Sequence, residues 1–268
     1  MKSVKSYLSV LRNKLRKSRP GNLIFQCNIC SAVSTVSSDI LKREEASCSQ
    51  CGSTVRMRSI IHVLSTELFG ASLTLDAFPV KKHLTGIGMS DWGEYARRLS
   101  KKFNYRNTFY HKEPRLDITN LYDQELESYD FVISSDVFEH VVPPVGRAFH
   151  NLYKIMRPGG VCIFTVPYTL SGTTVEHFPD LFDYVISERE DNYYLRNVTK
   201  SGHEQIFDSL VFHGGPGSTL EMRVFSQQSL LECCHAAGFS YTVIYGEPFF
   251  KFGIYWPQPW SLPMALRR

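Results

Sequence analysis

Four cysteines in two close pairs constrain this 268-residue chain more than any other feature of its sequence. They form the pattern C-x2-C-x17-C-x2-C, made up of Cys27, Cys30, Cys48 and Cys51. Each pair fits a tight turn that directs two thiolates at one point, and four thiolates at this spacing are typical of a zinc ribbon. No nearby histidine or carboxylate motif indicates an open coordination position. The sequence therefore predicts a structural Zn²⁺ site in a small module over residues 22–70, which ends in a connecting helix.

The first 19 residues carry seven of the 30 Lys and Arg and none of the 26 Asp and Glu. Because 23 basic residues then face 26 acidic ones, the rest of the chain has a formal charge of −3 and is not a polyphosphate-binding surface by bulk charge. Apolar residues recur at helical spacing at Val4, Leu8, Leu11 and Leu15, which predicts a basic amphipathic helix over residues 1–21. Such a helix either contacts an anionic membrane or a partner, or packs as a cap on its own domain.

From residue 71 to residue 268, short apolar runs alternate with helical stretches, which is typical of an α/β domain with a doubly wound, mostly parallel sheet. The predicted strands cover residues 82–86, 107–111, 131–134, 161–166 and 241–245, and the clearest helices cover 92–103, 144–156 and 226–237. Residues 169–222 interrupt this alternation, and an insertion of that length is usually functional or mobile. The odd number of cysteines and the absence of a signal or membrane-spanning run favour a cytoplasmic protein.

Polar residues gather where the predicted strands end, which is where open α/β sheets bind ligands. The first strand runs into Gly86 and Gly88 within KHLTGIGMSD. We expect a glycine turn there, because it lets the backbone approach a ligand and directs the amides of the next helix at its negative groups. The dinucleotide fingerprint G-x-G-x-x-G is incomplete, so this turn is a weak signal by itself. A later strand ends in SSDVFEHV, and MRPGG precedes VCIFTVPY.

These last three segments resemble the fourth-strand motif, the Pro-Gly-Gly turn and the fifth strand of class I S-adenosylmethionine-dependent methyltransferases. The resemblance covers residues 80–168 and 222–246, and it implies a Rossmann-like domain that binds S-adenosyl-L-methionine. Carried over to this sequence, it implies that Gly86 and Gly88 pass the methionine part of the cofactor. It also implies that Glu113 binds the ribose hydroxyls and Asp117 the adenine, although Asp117 also suits a turn.

Three further residues are cofactor-binding candidates. Asp136 and Val137 belong to the segment that resembles the fourth-strand motif. The acid usual within the first-strand motif is absent, and Asp91 has two interpretations. It either contacts the amino group of the cofactor or caps the helix predicted to start at Trp92.

Methyl transfer to an alcohol needs a base, and three histidines are the catalytic candidates. His140 follows the fourth-strand motif, where an imidazole could take up a proton near neutrality. The alternative is that His140 only shapes the cofactor pocket. His177 and His213 lie in the insertion, where relatives build the acceptor site, and the glycines after His213 suit a lid.

Three functions remain open at this stage. The first is O-methylation of a sugar, a glycan or another hydroxylated small molecule. The second is methylation of a ribosomal RNA base, because a zinc ribbon leading into a methyltransferase resembles ribosomal RNA guanine methyltransferases. Nucleic acid is disfavoured as a partner, since residues 20–69 have four basic and four acidic residues and the rest of the body is slightly acidic. The third is a non-catalytic scaffold that binds zinc and cofactor. The oligomeric state stays open.

Overall fold

A computed structural model describes residues 21–190 and 192–268 of the chain. The predicted basic helix therefore lies outside the described residues, except for Gly21. The strands are β1 (Asn22–Gln26), β2 (Val33–Ser37), β3 (Lys81–Met89), β4 (Phe103–Thr108), β5 (Tyr129–Ser135), β6 (Met156–Thr165), β7 (Tyr168–Thr169), β8 (Val175–Glu176), β9 (Asp183–Arg189), β10 (Asn192–Val198), β11 (Glu204–Phe207), β12 (Phe212–His213), β13 (Thr219–Leu220), β14 (Arg223–Ser226), β15 (Tyr241–Ile244) and β16 (Met264–Arg267). The α-helices are α1 (Val55–Phe69), α2 (Gly93–Lys102), α3 (Gly146–Ile155) and α4 (Gln227–Ala237).

A six-stranded mixed sheet in the order β15-β16-β6-β5-β3-β4 forms the centre of the molecule. Strands β4, β3, β5 and β6 are parallel neighbours, whereas β16 pairs antiparallel with both β6 and β15. The centre of the sheet is apolar on both faces, as the burial of Phe131, Val132, Ile133 and Ile163 shows, and this is typical of parallel strands covered by helices. The predicted Rossmann-like α/β class is confirmed in this mixed form.

The strand boundaries differ from the predicted ones in three places. The second strand of the domain begins at Phe103, directly after α2, and ends at Thr108, so the strand predicted over 107–111 was placed too late. Strand β3 extends to Met89 and includes Gly86 and Gly88, so the expected glycine turn is wrong. The chain turns instead at Ser90, which has a positive φ of 58°. Strand β16 was not predicted, and it inserts between two strands that were.

The cysteine-bearing module shares one hydrophobic core with the rest of the chain. Buried residues of that core run from Phe25 and Ile29 to Leu266. The guanidinium of Arg58, on α1, is fully buried and donates to the carbonyl oxygens of Phe252 and Gly253, each at 2.9 Å. The module is thus packed against a segment that lies about 200 residues later in the chain. The boundaries proposed at residues 21 and 70 stay predictions.

The insertion over residues 169–222 is built of short strands rather than irregular loops. Strands β11, β10 and β9 form an antiparallel sheet, and β12 pairs with β13. Its small core is separate from the main one and contains Phe178, Leu195, Leu220 and Met222. Strand β9 is exposed along nearly its whole length. Because neither face of such a strand is deeply buried, its sequence shows no alternation, and the pattern used to predict strands is missing. No helix among the described residues is both long enough and apolar enough to span a membrane.

Candidate active site

The ends of β3, β4 and β5 bring several predicted site residues to one edge of the sheet. Asp136 follows β5 and adopts a positive φ of 54°, an uncommon conformation for a residue with a side chain. Its backbone N–H donates to the carbonyl oxygen of Thr165 at 2.8 Å, and the Thr165 hydroxyl donates to its carboxylate at 2.9 Å. The carboxylate is thereby fixed at the end of β5.

Two arginines from the N-terminal module meet the Asp136 carboxylate. Arg43 donates to both of its oxygens, at 2.8 and 2.6 Å, and Arg56 approaches one oxygen to 3.2 Å. Burial alone would raise the pKa of Asp136, but Arg43 and Arg56 lower it to about 2. These arginines were not identified from the sequence, because nothing in the local pattern of a charged residue indicates a distant carboxylate partner. Asp136 therefore joins the module to the sheet, and its predicted contact with cofactor stays a prediction.

Asp91 is buried after the turn at the end of β3. Its carboxylate accepts hydrogen bonds from the hydroxyls of Tyr95, at 2.8 Å, and Tyr105. Burial raises the pKa of Asp91 to about 7, although both hydrogen bonds act in the opposite direction. Helix α2 begins at Gly93 with Trp92 as its N-cap and has no side-chain capping bond. The helix-cap interpretation of Asp91 is therefore wrong, because its carboxylate is held by two tyrosines.

Gly86 and Gly88 lie beneath aromatic side chains of neighbouring strands. A Cβ atom at Gly86 would lie 2.1–2.5 Å from the ring of Phe131, and one at Gly88 would lie 2.0 Å from the Tyr105 hydroxyl and 2.1 Å from Asp91 Oδ2. Both distances are far below van der Waals contact. Packing within the chain therefore already requires glycine at these positions, and contact with a cofactor is not needed to explain them.

The other cofactor candidates lie on loops next to the same edge. Glu113 is exposed in the loop after β4, and its carboxylate accepts from the N–H of Arg115 at 3.0 Å. The Asp117 carboxylate accepts from the N–H and the hydroxyl of Thr119, at 2.9 and 2.7 Å, as in an Asx turn. Val137 precedes the 3₁₀ turn Phe138–His140 and packs partly buried against the core. Their roles toward a cofactor remain predictions.

All three predicted catalytic histidines lie in one cluster with two glutamates, which we call the histidine–glutamate cluster: Glu139, His140, His177, His213 and Glu221. Glu221 accepts from His177 Nε2 and His213 Nε2, each at 2.9 Å. His140 Nδ1 donates to the carbonyl oxygen of Leu220 at 2.8 Å, and its ring stands edge-on to the His213 ring with centroids 4.7 Å apart. Burial lowers the pKa of His140, which keeps its imidazole neutral near pH 7. Neither Glu139 nor Glu221 was given a catalytic role from the sequence, although Glu139 stands beside His140 in DVFEH.

The four predicted zinc ligands converge on one point. Cys27 Sγ lies 3.7 Å from Cys51 Sγ, and Cys30 Sγ lies 3.6 Å from Cys48 Sγ. Sulfur atoms placed tetrahedrally at about 2.3 Å from zinc would be roughly 3.8 Å apart, so the cluster has the right size for this ion. The hydrogen bond between Cys51 and Cys27 lowers the pKa of Cys27 to about 4, in the direction that favours its thiolate, and raises the pKa of Cys51. Burial lowers the pKa of Arg58 only to about 10, so its guanidinium stays charged at neutral pH. That positive charge offsets negative charge on the cysteine thiolates.

A cavity of about 480 Å³ is lined by residues of both the N-terminal module and the C-terminal segment. Aromatic side chains and polar groups both line it, among them Tyr255, Trp256, Trp260, Asp39 and Gln258. Arg43 also borders this cavity, and the same guanidinium binds Asp136 at the end of β5. Arg43 therefore contacts both the cavity and the edge of the sheet.

A family model described as a methyltransferase domain matches residues 70–243. The match covers more than half of the chain, and the chain belongs to this methyltransferase family. The predicted class of enzyme, a methyltransferase, is thereby confirmed. No curated protein sequence matches the chain significantly.

Several solved methyltransferase structures have a related shape at low sequence identity. The 1,6-didemethyltoxoflavin N1-methyltransferase of Burkholderia thailandensis has 14% identity and a TM-score of 0.45, with 100% of this chain and 91% of that chain covered. An amino pentose methyltransferase of Micromonospora echinaspora has 11% identity and a TM-score of 0.41, with 80% and 90% covered. At these scores the likeness decides nothing about the substrate of this chain.

Proposed function

We propose that the chain transfers a methyl group from S-adenosyl-L-methionine to a hydroxyl of a sugar, a glycan or another hydroxylated small molecule. The observation that carries this proposal is the histidine–glutamate cluster beside the end of β5. Methyl transfer from a sulfonium is an in-line displacement, so the protein chiefly orients the two reactants and excludes water. A hydroxyl must also lose its proton, and the cluster offers imidazoles that can receive it.

Two features support a hydroxylated acceptor over a nucleic acid. Beside the site, Arg43 and Arg56 are already paired with the Asp136 carboxylate. Paired arginines are poorly available for phosphate contacts. In addition, the cavity bordered by Arg43 combines aromatic faces with hydrogen-bonding groups, a lining that suits a polar ring.

We also propose that Cys27, Cys30, Cys48 and Cys51 hold a structural Zn²⁺. The sulfur separations of 3.6 and 3.7 Å support this assignment, as does the absence of disulfides among the described cysteines. When bound, the ion would hold the two cysteine turns together and supply no reaction chemistry, because four protein ligands leave no position for substrate.

Two experiments on the purified, zinc-loaded chain test the proposal. Calorimetric titration with S-adenosylhomocysteine tests the donor site, and we expect saturable binding. Transfer of labelled methyl from S-adenosylmethionine is then measured on a panel of glycans, small polyols and ribosomal RNA. Replacing His177 with Gln should lower the rate by roughly 10² or more if its imidazole takes part in proton transfer. The matched control is His203→Gln, since His203 is an exposed histidine of the same insertion.

The outcomes separate the donor from the acceptor. Absence of S-adenosylhomocysteine binding by the folded chain would refute the donor assignment. Methylation of RNA but of no hydroxylated small molecule would refute the acceptor assignment and leave the donor intact.

A further inference from the structure

Three potential ligand atoms of the histidine–glutamate cluster lie close together: His140 Nε2, His213 Nδ1 and Glu139 Oε1. His140 Nδ1 bonds a carbonyl oxygen, which only accepts, so Nδ1 carries the proton and Nε2 bears a lone pair. His213 Nε2 bonds the Glu221 carboxylate, so in a neutral imidazole the proton is on Nε2 and Nδ1 bears a lone pair. These two nitrogens lie 3.7 and 3.9 Å from the same oxygen, Glu139 Oε1.

The Glu139 carboxyl group has no hydrogen-bond partner in the described part of the chain. Its side chain is fully buried. Within residues 21–190 and 192–268, the only ion-pair partners of Glu139 are the two imidazoles. A buried carboxylate without partners is costly. Either a proton on Glu139 or a cation between Glu139, His140 and His213 would offset this cost.

We propose that Glu139, His140 and His213 bind a divalent transition-metal cation through Glu139 Oε, His140 Nε2 and His213 Nδ1. The three ligand atoms lie within 4.8 Å of one another. Ligands placed tetrahedrally at about 2.0–2.2 Å from one ion lie roughly 3.3–3.6 Å apart, so the measured separations of 3.7 and 3.9 Å must shorten by a few tenths of an ångström when an ion binds. Two imidazoles and one carboxylate suit Mn²⁺, Fe²⁺ or Zn²⁺ and leave coordination positions open.

The groups behind the three ligands match those found behind metal-binding histidines. Such histidines generally donate their second ring N–H to a backbone carbonyl or a carboxylate, which fixes the ring and the tautomer. Here His140 does so to Leu220 and His213 to Glu221. Glu221 also binds His177, so a fourth residue of the cluster is tied to the same support.

The cation site deepens the proposed function and, in that role, rests on it. A cation with open positions would bind the acceptor hydroxyl and make its proton easier to remove. His140 and His213 would then serve as metal ligands, and His177 with Glu221 would remain to receive the proton. Binding of the cation itself stands on the side-chain geometry and does not require methyl transfer.

The test is a calorimetric titration with Mn²⁺ of the chain loaded with one equivalent of zinc, which the four thiolates bind in preference and for which Mn²⁺ does not compete. We expect one Mn²⁺ to bind per chain. His213→Gln and the isosteric Glu139→Gln should each weaken binding tenfold or more. His213 is partly exposed, at 35% of its side chain, so its replacement is compatible with folding. His203→Gln is the matched control and should bind Mn²⁺ as the unaltered chain does.

Titration with S-adenosylhomocysteine on the same samples distinguishes the two proposals. Mn²⁺ binding that is absent, or that persists unchanged in both variants, would overturn the cation site even where S-adenosylhomocysteine binds. Cluster-dependent Mn²⁺ binding without S-adenosylhomocysteine binding would support the cation site and refute the donor assignment.

Discussion

Replacing Gly88 with Ala should destabilise the fold rather than merely block a cofactor. The new Cβ atom would lie 2.0 Å from the Tyr105 hydroxyl and 2.1 Å from Asp91 Oδ2. Asp91 is buried, Tyr105 is partly buried and the two are bonded to each other, so relief of the clash breaks the hydrogen bond between them. Overpacking in a core costs about 1–3 kcal/mol, and a lost hydrogen bond to a charged or partly charged group costs about 1.5–3 kcal/mol.

The gain from replacing glycine within a strand is only about 0.5–1 kcal/mol. We therefore expect the free energy of unfolding to fall by roughly 2–5 kcal/mol, which at ~2–4 °C per kcal/mol lowers the Tm by on the order of 10 °C. Circular dichroism on heating and urea titration measure the change. Gly93→Ala is the matched control, because no atom lies within 4 Å of its added Cβ. A Gly88→Ala variant with unchanged stability but no S-adenosylhomocysteine binding would refute the packing explanation and restore the cofactor one.

Three further perturbations test the charges and the ribbon. Burial raises the pKa of Asp91 to about 7 in the folded state, so its contribution to stability is greatest below pH ~4 and is lost as pH rises from there to about 7. Thermal unfolding measured across this pH range should show the loss of stability, and Asp91→Asn should remove this dependence on pH. Arg43→Gln should cost about 2–4 kcal/mol, because it leaves the Asp136 carboxylate with only one guanidinium, and a variant as stable as the unaltered chain in urea would contradict the ion pair. Cys51→Ser, or removal of zinc by a chelator, should lower the Tm and abolish protection from hydrogen exchange in β1 and β2; unaltered exchange would argue against a structural ion.

The sequence was sufficient for the features that depend on local pattern. Apolar runs predicted the central parallel strands, and the cysteine spacing predicted a cluster that the structure assembles. Strand β16 escaped prediction because Met264–Arg267 is only four residues long and follows an irregular segment. Its strand character depends on pairing with β6 and β15 rather than on its own periodicity.

The site was predicted less completely, for a physical reason. The three histidines were selected by their types and places in the chain, but their partners are set by tertiary contacts. Glu221 meets His177 across 44 residues and Arg43 meets Asp136 across 93. Gly88 illustrates the opposite error, since a glycine in a strand looks the same in sequence whether a cofactor or a tyrosine covers it. Only the position of Tyr105 distinguishes the two.

The buried Arg58 side chain has a consequence for the order in which the protein folds. Its partners Phe252 and Gly253 follow it by 194 and 195 residues, whereas the four cysteines span only residues 27–51. Contacts between distant residues form late, because a long loop must close first. During synthesis the cysteines are thus available to a metal ion long before the segment that covers Arg58 has been made. An ion held by these four cysteines would be taken up as a local event, and the module would acquire its final packing only when the far end of the domain arrives.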